Sequence, residues 1–145
     1  MAGMRFLDAN VFVYAYYRPR RELGDKETEM KEEAKAILKR INEGEERVIT
    51  TVVHVSEMSN ILKHGMAPGD LAAFVQGLLM ADNIVVEGVS RDLYLSATDL
   101  GRELELDPND ALAVELMRLN GVEEIYTFDH GFDGVQGVRR LPASN

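Results

Sequence analysis

The sequence has no cysteine among its 145 residues, which excludes disulfides, thiolate nucleophiles and cysteine metal sites. It has no tryptophan and only 5 Tyr and 5 Phe, so there is little material for a base-stacking platform. Long apolar runs are missing as well, and none approaches the ~20 residues that span a bilayer. The opening residues Met1-Ala2-Gly3-Met4-Arg5-Phe6 lack the apolar stretch of a secretory signal, and a cytoplasmic protein is expected. Basic residues are in deficit, 16 Lys and Arg against 25 Asp and Glu, for a net charge of −9. Taken alone, that deficit argues against general nucleic-acid binding, because phosphate contacts need Lys and Arg. The exclusion is incomplete, since acids gathered in one cleft bind divalent cations that then face a phosphate. An acidic surface also suits a basic protein partner or simple solubility.

What is present is a chain that is 46% apolar, enough for a sizeable core, and of a length that fits one domain over residues 1–145. It shows no repeats, no low-complexity tract and no linker. Arg5 to Leu7 reads as a short buried strand ending at Asp8, and Val11 to Tyr17 as a short helix. Arg18-Pro19-Arg20-Arg21 is a basic loop with a breaker. Lys26 to Asn42 places Ala34, Ile37, Leu38 and Ile41 at helical spacing opposite a charged face, whose Lys26 to Glu33 part reads as solvated ahead of partner-binding. Arg47 to Thr51 is a second strand, and Val52 to Lys63 a helix with Val55, Met58, Ile61 and Leu62 on one side. Gly69 to Met80 is another apolar helix, and Asn83 to Glu87 a third strand. Ser90 caps a helix running to about Leu104. Asp107-Pro108 starts a further helix that stops at Asn120-Gly121. Glu124 to Thr127 is a fourth strand, and Val138 to Arg140 a short fifth. Strands alternating with helices predict an α/β fold with a mainly parallel sheet of four to five strands and helices on both faces. Ligands in such folds bind at the carboxyl ends of the strands.

Four acids fall near that edge. Asp8 ends the first strand, and Asp129 lies two residues past the fourth. Glu57 sits early on the helix after the second strand, and Asp110 in the first turn of its helix. Carboxylates held close together do not all stay ionised unless something positive joins them. Mg²⁺ and Mn²⁺ prefer oxygen ligands and keep positions open for phosphate. Such a site activates water for attack on a phosphodiester. Each acid also has a plainer use. Asp8 is a turn or cap residue, Asp110 complements a helix dipole, and Asp129 is a loop acid. Glu57 is harder to dismiss on a largely apolar helix. The combination, in this order and on these elements, carries the signal.

The segments Phe6-Leu7-Asp8-Ala9-Asn10-Val11, Thr50-Thr51-Val52-Val53-His54-Val55-Ser56-Glu57, Asn109-Asp110-Ala111-Leu112-Ala113 and Tyr126-Thr127-Phe128-Asp129-His130-Gly131-Phe132-Asp133 resemble a PIN domain. They span nearly the whole chain in the family's order. The resemblance implies a three-layer α/β/α sandwich and a negatively charged pocket for Mg²⁺ or Mn²⁺. It assigns Asp8, Glu57, Asp110 and Asp129 as the acidic quartet that is both catalytic and metal-binding. Asn10 and Thr127 match polar positions that orient carboxylates, and Asp133 matches a less regular acidic position. Small PIN proteins of this length resemble VapC-type toxins. Those are dimers held inactive by a small antitoxin that often presents an Arg to the acids. The resemblance therefore implies an endoribonuclease acting on RNA, a homodimer and an antitoxin partner.

Other features are weighed beside these. Arg18, Arg20 and Arg21 are candidate RNA contacts, and Arg139 and Arg140 form a second small basic cluster; solvated loops also carry such clusters. Glu115 departs from the family's usual small or apolar residue and faces away from Asp110, so it reads as surface. His54 reads as a packed core histidine and His130 as a loop histidine. Tyr14, Tyr16 and Tyr17 divide between core and dimer surface. Competing functions are a housekeeping PIN nuclease in RNA maturation or decay, a Mg²⁺-binding phosphoacceptor or phosphatase-like domain, and a non-catalytic scaffold. No Lys follows Thr127 to hold a phosphoryl group, and Asn10 stands where an aspartyl phosphatase wants a second Asp. The phosphoacceptor reading therefore ranks low.

Overall fold

The computed structural model describes residues 3–142. In chain order the elements are β1 (Arg5–Leu7), α1 (Ala9–Tyr16), α2 (Asp25–Asn42), β2 (Val48–Thr51), α3 (Val52–Leu62), α4 (Pro68–Leu79), β3 (Ile84–Glu87), α5 (Arg91–Leu104), α6 (Pro108–Leu119), β4 (Glu124–Tyr126), a 3-10 turn at His130–Phe132, and β5 (Arg139–Leu141). The element types agree with the sequence reading, and most ends fall within a residue or two.

Local chemistry sets many of those ends. Ser90 accepts from the Leu93 N–H, and Asp107 accepts from the Asp110 N–H with Pro108 next in line. Helix α1 starts earlier than its apolar run predicts, because Asp8 caps it at Ala9. Strand β2 turns directly into α3 because Thr51 Oγ1 accepts from the His54 N–H. The charged face of α2 is a correction in one place. Lys31, expected to be solvated, donates from Nζ to the carbonyls of Tyr14, Ala15 and Tyr17. It thereby closes the carbonyl end of α1, a helix with no basic residue in its own last turn.

The sheet order is β3-β2-β1-β4-β5, and every pairing is parallel. Because side chains alternate across a strand, neighbouring residues supply opposite layers. Leu7, Val48, Ile84 and Tyr126 pack under α1, α2 and α3, while Phe6, Ile49 and Ile125 pack under α5 and α6. That is the three-layer α/β/α arrangement read from the sequence. Glycine is required at Gly101, where a Cβ would stand 2.7 Å from the Leu106 carbonyl oxygen and 3.4 Å from Ala111 Cβ. This close approach of α5 to the turn before α6 fixes where α6 begins.

The chain builds outward from β1 through β2 to β3, then returns to the other side of β1 with β4. The carboxyl ends of β1 and β4 therefore flank the point where the strand order reverses, the usual place for a crevice in an open parallel sheet. Asp8 and Thr127 directly follow those two strands. Among the described residues no helix is long and apolar enough to cross a membrane.

Candidate active site at the carboxyl edge of the sheet

Asp8 leaves β1 with both carboxylate oxygens engaged. Oδ1 accepts from the Ala9 N–H and Oδ2 from the Thr127 hydroxyl, each at 2.8 Å. Only 5% of the residue is exposed. Burial raises its pKa to about 6; the two hydrogen bonds oppose that rise, and the charges of Asp129 and Asp107 add to it.

Thr127 joins this acid to the next. Its hydroxyl accepts from Asn10 Nδ2 at 3.1 Å and from the Asp129 N–H at 3.1 Å while donating to Asp8. Asn10 turns its Oδ1 to the Phe128 N–H at 3.2 Å. These two polar residues thus tie the end of β1 to the end of β4. Asp129 caps the 3-10 turn, its Oδ1 accepting from the Gly131 N–H at 2.8 Å.

Asp110 occupies the first turn of α6, half-buried, with its N–H held by Asp107. Burial raises its pKa to about 8, and the acids Asp107, Asp8 and Asp129 raise it further, with a hydrogen bond to Asp129. Glu57 arrives from α3. Its Oε1 accepts from Asn109 Nδ2 at 3.2 Å. Its pKa is raised by burial and by Asp8 and Asp107, against the Asn109 bond and the nearby His54.

Of the expected quartet, Asp8 and Asp129 both act on Asp110, and Asp8 acts on Glu57. Asp107 was read from the sequence as a helix cap only. It also acts on Asp8, Glu57 and Asp110. The signal was present as a second acid three residues before Asp110, masked by its role as a cap.

Other expected residues fall elsewhere. Asp133 bonds Arg140 Nε at 2.7 Å and pairs with His130 at 3.0 Å, so its contacts lie with the fifth strand and the loop. Arg21 is held by Glu27 at 2.6 Å on the surface, and Arg139 is paired with Glu124. Arg18 and Arg20 lie in the connection between α1 and α2. Glu115 is a correction: it is half-buried against α5, accepting from the Ser96 hydroxyl at 2.6 Å.

His54 is a core residue, as expected, packed edge-on against Phe6. Its Nε2 lies 3.1 Å from the Asn109 carbonyl and its Nδ1 2.7 Å from Thr51 Oγ1. A carbonyl only accepts, so Nε2 carries the proton and the Thr51 hydroxyl donates to Nδ1. Burial lowers the pKa to about 4, which keeps the ring neutral near pH 7.

The donor set consists of hard carboxylate oxygens that raise one another's pKa, and its chemistry fits a divalent cation of the Mg²⁺ or Mn²⁺ kind. Among the described residues no three acids or histidines stand as a preformed ligand group.

Comparison with curated protein sequences returned no match. Among solved structures, the chain is similar to Mycobacterium tuberculosis VapC20, a Sarcin-Ricin loop cleaving toxin. That match has 22% identity and a TM-score of 0.67 over 94% of this chain and 98% of the other. It is also similar to a chain of a toxin-antitoxin complex from Klebsiella pneumoniae, with 17% identity and a TM-score of 0.63 over 93% of this chain and 95% of the other. At such identities the likeness speaks for the fold. The sequence itself matches the PIN domain family model over residues 5–138, and on that match the chain belongs to the PIN domain family.

Proposed function

We propose that the protein is a Mg²⁺- or Mn²⁺-dependent endoribonuclease, the toxin component of a type II toxin–antitoxin pair. The observation that carries this reading is the set of mutually repelling acids at the carboxyl edge, where Asp8, Asp129 and Asp107 all push Asp110 toward its protonated form. Carboxylates in that condition take up a divalent cation in place of protons. The two structural relatives, one described as a Sarcin-Ricin loop cleaving toxin and the other as part of a toxin-antitoxin complex, support the toxin assignment over a housekeeping role.

In this proposal Asp8, Glu57, Asp110 and Asp129 hold the cation. When bound, the cation lowers the pKa of water and steadies the leaving oxygen of a phosphodiester. The chain's own residues supply the orientation. Thr127 and the Ala9 N–H fix both oxygens of Asp8, and the Gly131 N–H fixes Asp129. Arg18, Arg20 and Arg21 steer RNA phosphates toward an edge that would otherwise repel them. A small basic antitoxin segment would silence the enzyme by pairing an Arg with the same carboxylates. We assign the active form as a homodimer.

The test is cleavage of a mixed RNA pool with Mn²⁺, with Mg²⁺ and with chelator, beside Asp8→Asn. Cleavage that needs the ion and vanishes in the variant is the expected result. Cleavage that persists in chelator, or in Asp8→Asn at the wild-type rate, overturns the site.

A further inference from the structure

Glu57 is the one member of the acidic group whose side chain is held from the opposite flank of the site. Asp8 and Asp129 are oriented by backbone amides and by Thr127, all at the β1 and β4 ends. Glu57 projects from α3, and among the described residues its side-chain hydrogen bond comes from α6, through Asn109 Nδ2 at 3.2 Å. A carboxylate accepts and never donates, so the amide nitrogen of Asn109 must face Glu57 and its oxygen must face away. That oxygen accepts from the Tyr94 hydroxyl at 2.6 Å, across the gap between α5 and α6. The backbone of Asn109 is held as well, its carbonyl accepting from the neutral His54 ring. Tyr94, Asn109 and Glu57 together line a groove open to solvent, along with Ser56 and Asn60. The Tyr94 ring packs against the core beneath α5 and α6, while its hydroxyl is given to Asn109. The side-chain bonds run to the Glu57 carboxylate, on which Asp8 and Asp107 also act.

We propose that Tyr94 and Asn109 are positioning residues for Glu57: Tyr94 sets the orientation of the Asn109 amide, and the amide presents Glu57 to the divalent cation. This deepens the nuclease reading and rests on it only in taking Glu57 as an ion-binding carboxylate. A hydrogen-bonded partner behind a ligand fixes its rotamer before the ion arrives, so its loss appears first in ion affinity.

The experiment measures Mn²⁺ affinity from the electron paramagnetic resonance signal of the free ion, without RNA, for wild type, Tyr94→Phe and Asn109→Ala. Melting in chelator reports the fold, and RNA cleavage is followed across a Mn²⁺ titration. Asn109→Ala is expected to weaken Mn²⁺ binding about 10- to 100-fold. Tyr94→Phe keeps the ring and removes one hydrogen bond, and is expected to weaken binding roughly 3- to 10-fold with little change in melting. Cleavage by both variants should return close to the wild-type rate at saturating Mn²⁺, because the acids that hold the ion remain. If Asn109→Ala fails to fold, Tyr94→Phe carries the test. Wild-type Mn²⁺ affinity in a folded Tyr94→Phe and a folded Asn109→Ala overturns the inference, as does a cleavage loss that saturating ion does not restore. Wild type that binds Mn²⁺ but leaves RNA intact overturns the nuclease reading alone, and wild type that binds no Mn²⁺ overturns both.

Discussion

The two ends of the same parallel sheet treat carboxylates in opposite ways. At the amino ends of the strands, Glu46 and Glu124 lie among arginines. Glu46 takes Arg5 at 2.7 Å, Arg40 at 3.1 Å and the Tyr126 hydroxyl at 2.6 Å. Glu124 takes Arg5 at 2.9 Å and pairs with Arg139. The pKa of Glu46 is lowered by Tyr126, Arg40 and Arg5 against its burial, and that of Glu124 by Arg5 and Arg139. At the carboxyl ends, Asp8, Glu57 and Asp110 are raised by burial and by neighbouring acids, Asp107 acting on all three. One end is a finished network of opposite charges that locks strand starts together. At the other, no Lys or Arg is bonded to these acids among the described residues, and in the proposed function a divalent cation would supply the missing charge. A deficit maintained within one strand's length of a fully matched network points to use and not to an untidy surface.

The sharpest way to break this comparison is the same amide substitution at both ends. Asp110→Asn is expected to abolish RNA cleavage and, in chelator at pH 8, to raise the melting temperature by a few degrees, because it removes a like charge. Glu46→Gln is expected to leave the acid site intact while costing about 2–3 kcal/mol, since two arginines and a tyrosine lose a shared partner. In a chain of this size that is a fall of roughly 5–10 °C in calorimetry. Equal signs of the two melting shifts would dissolve the contrast.

Next in size is Gly101→Ala. The methyl gains helix propensity but meets the Leu106 carbonyl at 2.7 Å, and a net loss of about 1–2 kcal/mol is expected. Because the same turn places Asp107 and Asn109, chelator-free Mn²⁺ affinity should fall with it. Denaturant unfolding and ion titration of one preparation check both.

A smaller effect is the pH profile of the metal-free protein. Asp110 holds its proton more tightly when folded than the ordinary value of 3.8, so its contribution is full below that value and lost as pH rises through about 8. Asp8 follows the same sign, its contribution being lost as pH rises from its ordinary value through about 6. Glu46 and Glu124 have the opposite sign: their contribution is present above the ordinary Glu range and lost as pH falls through their lowered values. Melting in chelator should therefore peak in mildly acid solution and decline toward pH 8, and Mn²⁺ should remove most of that decline. A flat profile from pH 5 to pH 8 in chelator would contradict it. The smallest effect is at Arg21, whose ion pair with Glu27 is exposed. Arg21→Ala is expected to leave melting unchanged while weakening RNA association and reducing its salt dependence by about one phosphate contact.

Much of this was legible before the structure. Helix periodicity, the Ser90 and Asp107 caps and the alternation of strands with helices are local signals, and they place the strands, the order of layers and the acids Asp8, Glu57, Asp110 and Asp129 on the right elements. Local signals do not say which side chain another helix will reach. Lys31 reads as one more charge on a solvated face until α1 ends beside it, and Glu115 reads as surface until Ser96 approaches from α5. Asp133, grouped with the acids by its position in the chain, turns to Arg140 and His130 once β5 pairs with β4.

By itself, then, the sequence determined the secondary structure and the α/β layering, because caps, turns and apolar periodicity act over a few residues. Only the tertiary structure decided which groups stand behind the acids. Thr127 behind Asp8 is 119 residues away and Asn109 behind Glu57 is 52 away, and no short-range propensity selects partners at such separations. They meet because a parallel sheet with β1 at its centre brings the strand ends and helix starts to one edge, where hydrogen-bond geometry settles which of the residues gathered there act together.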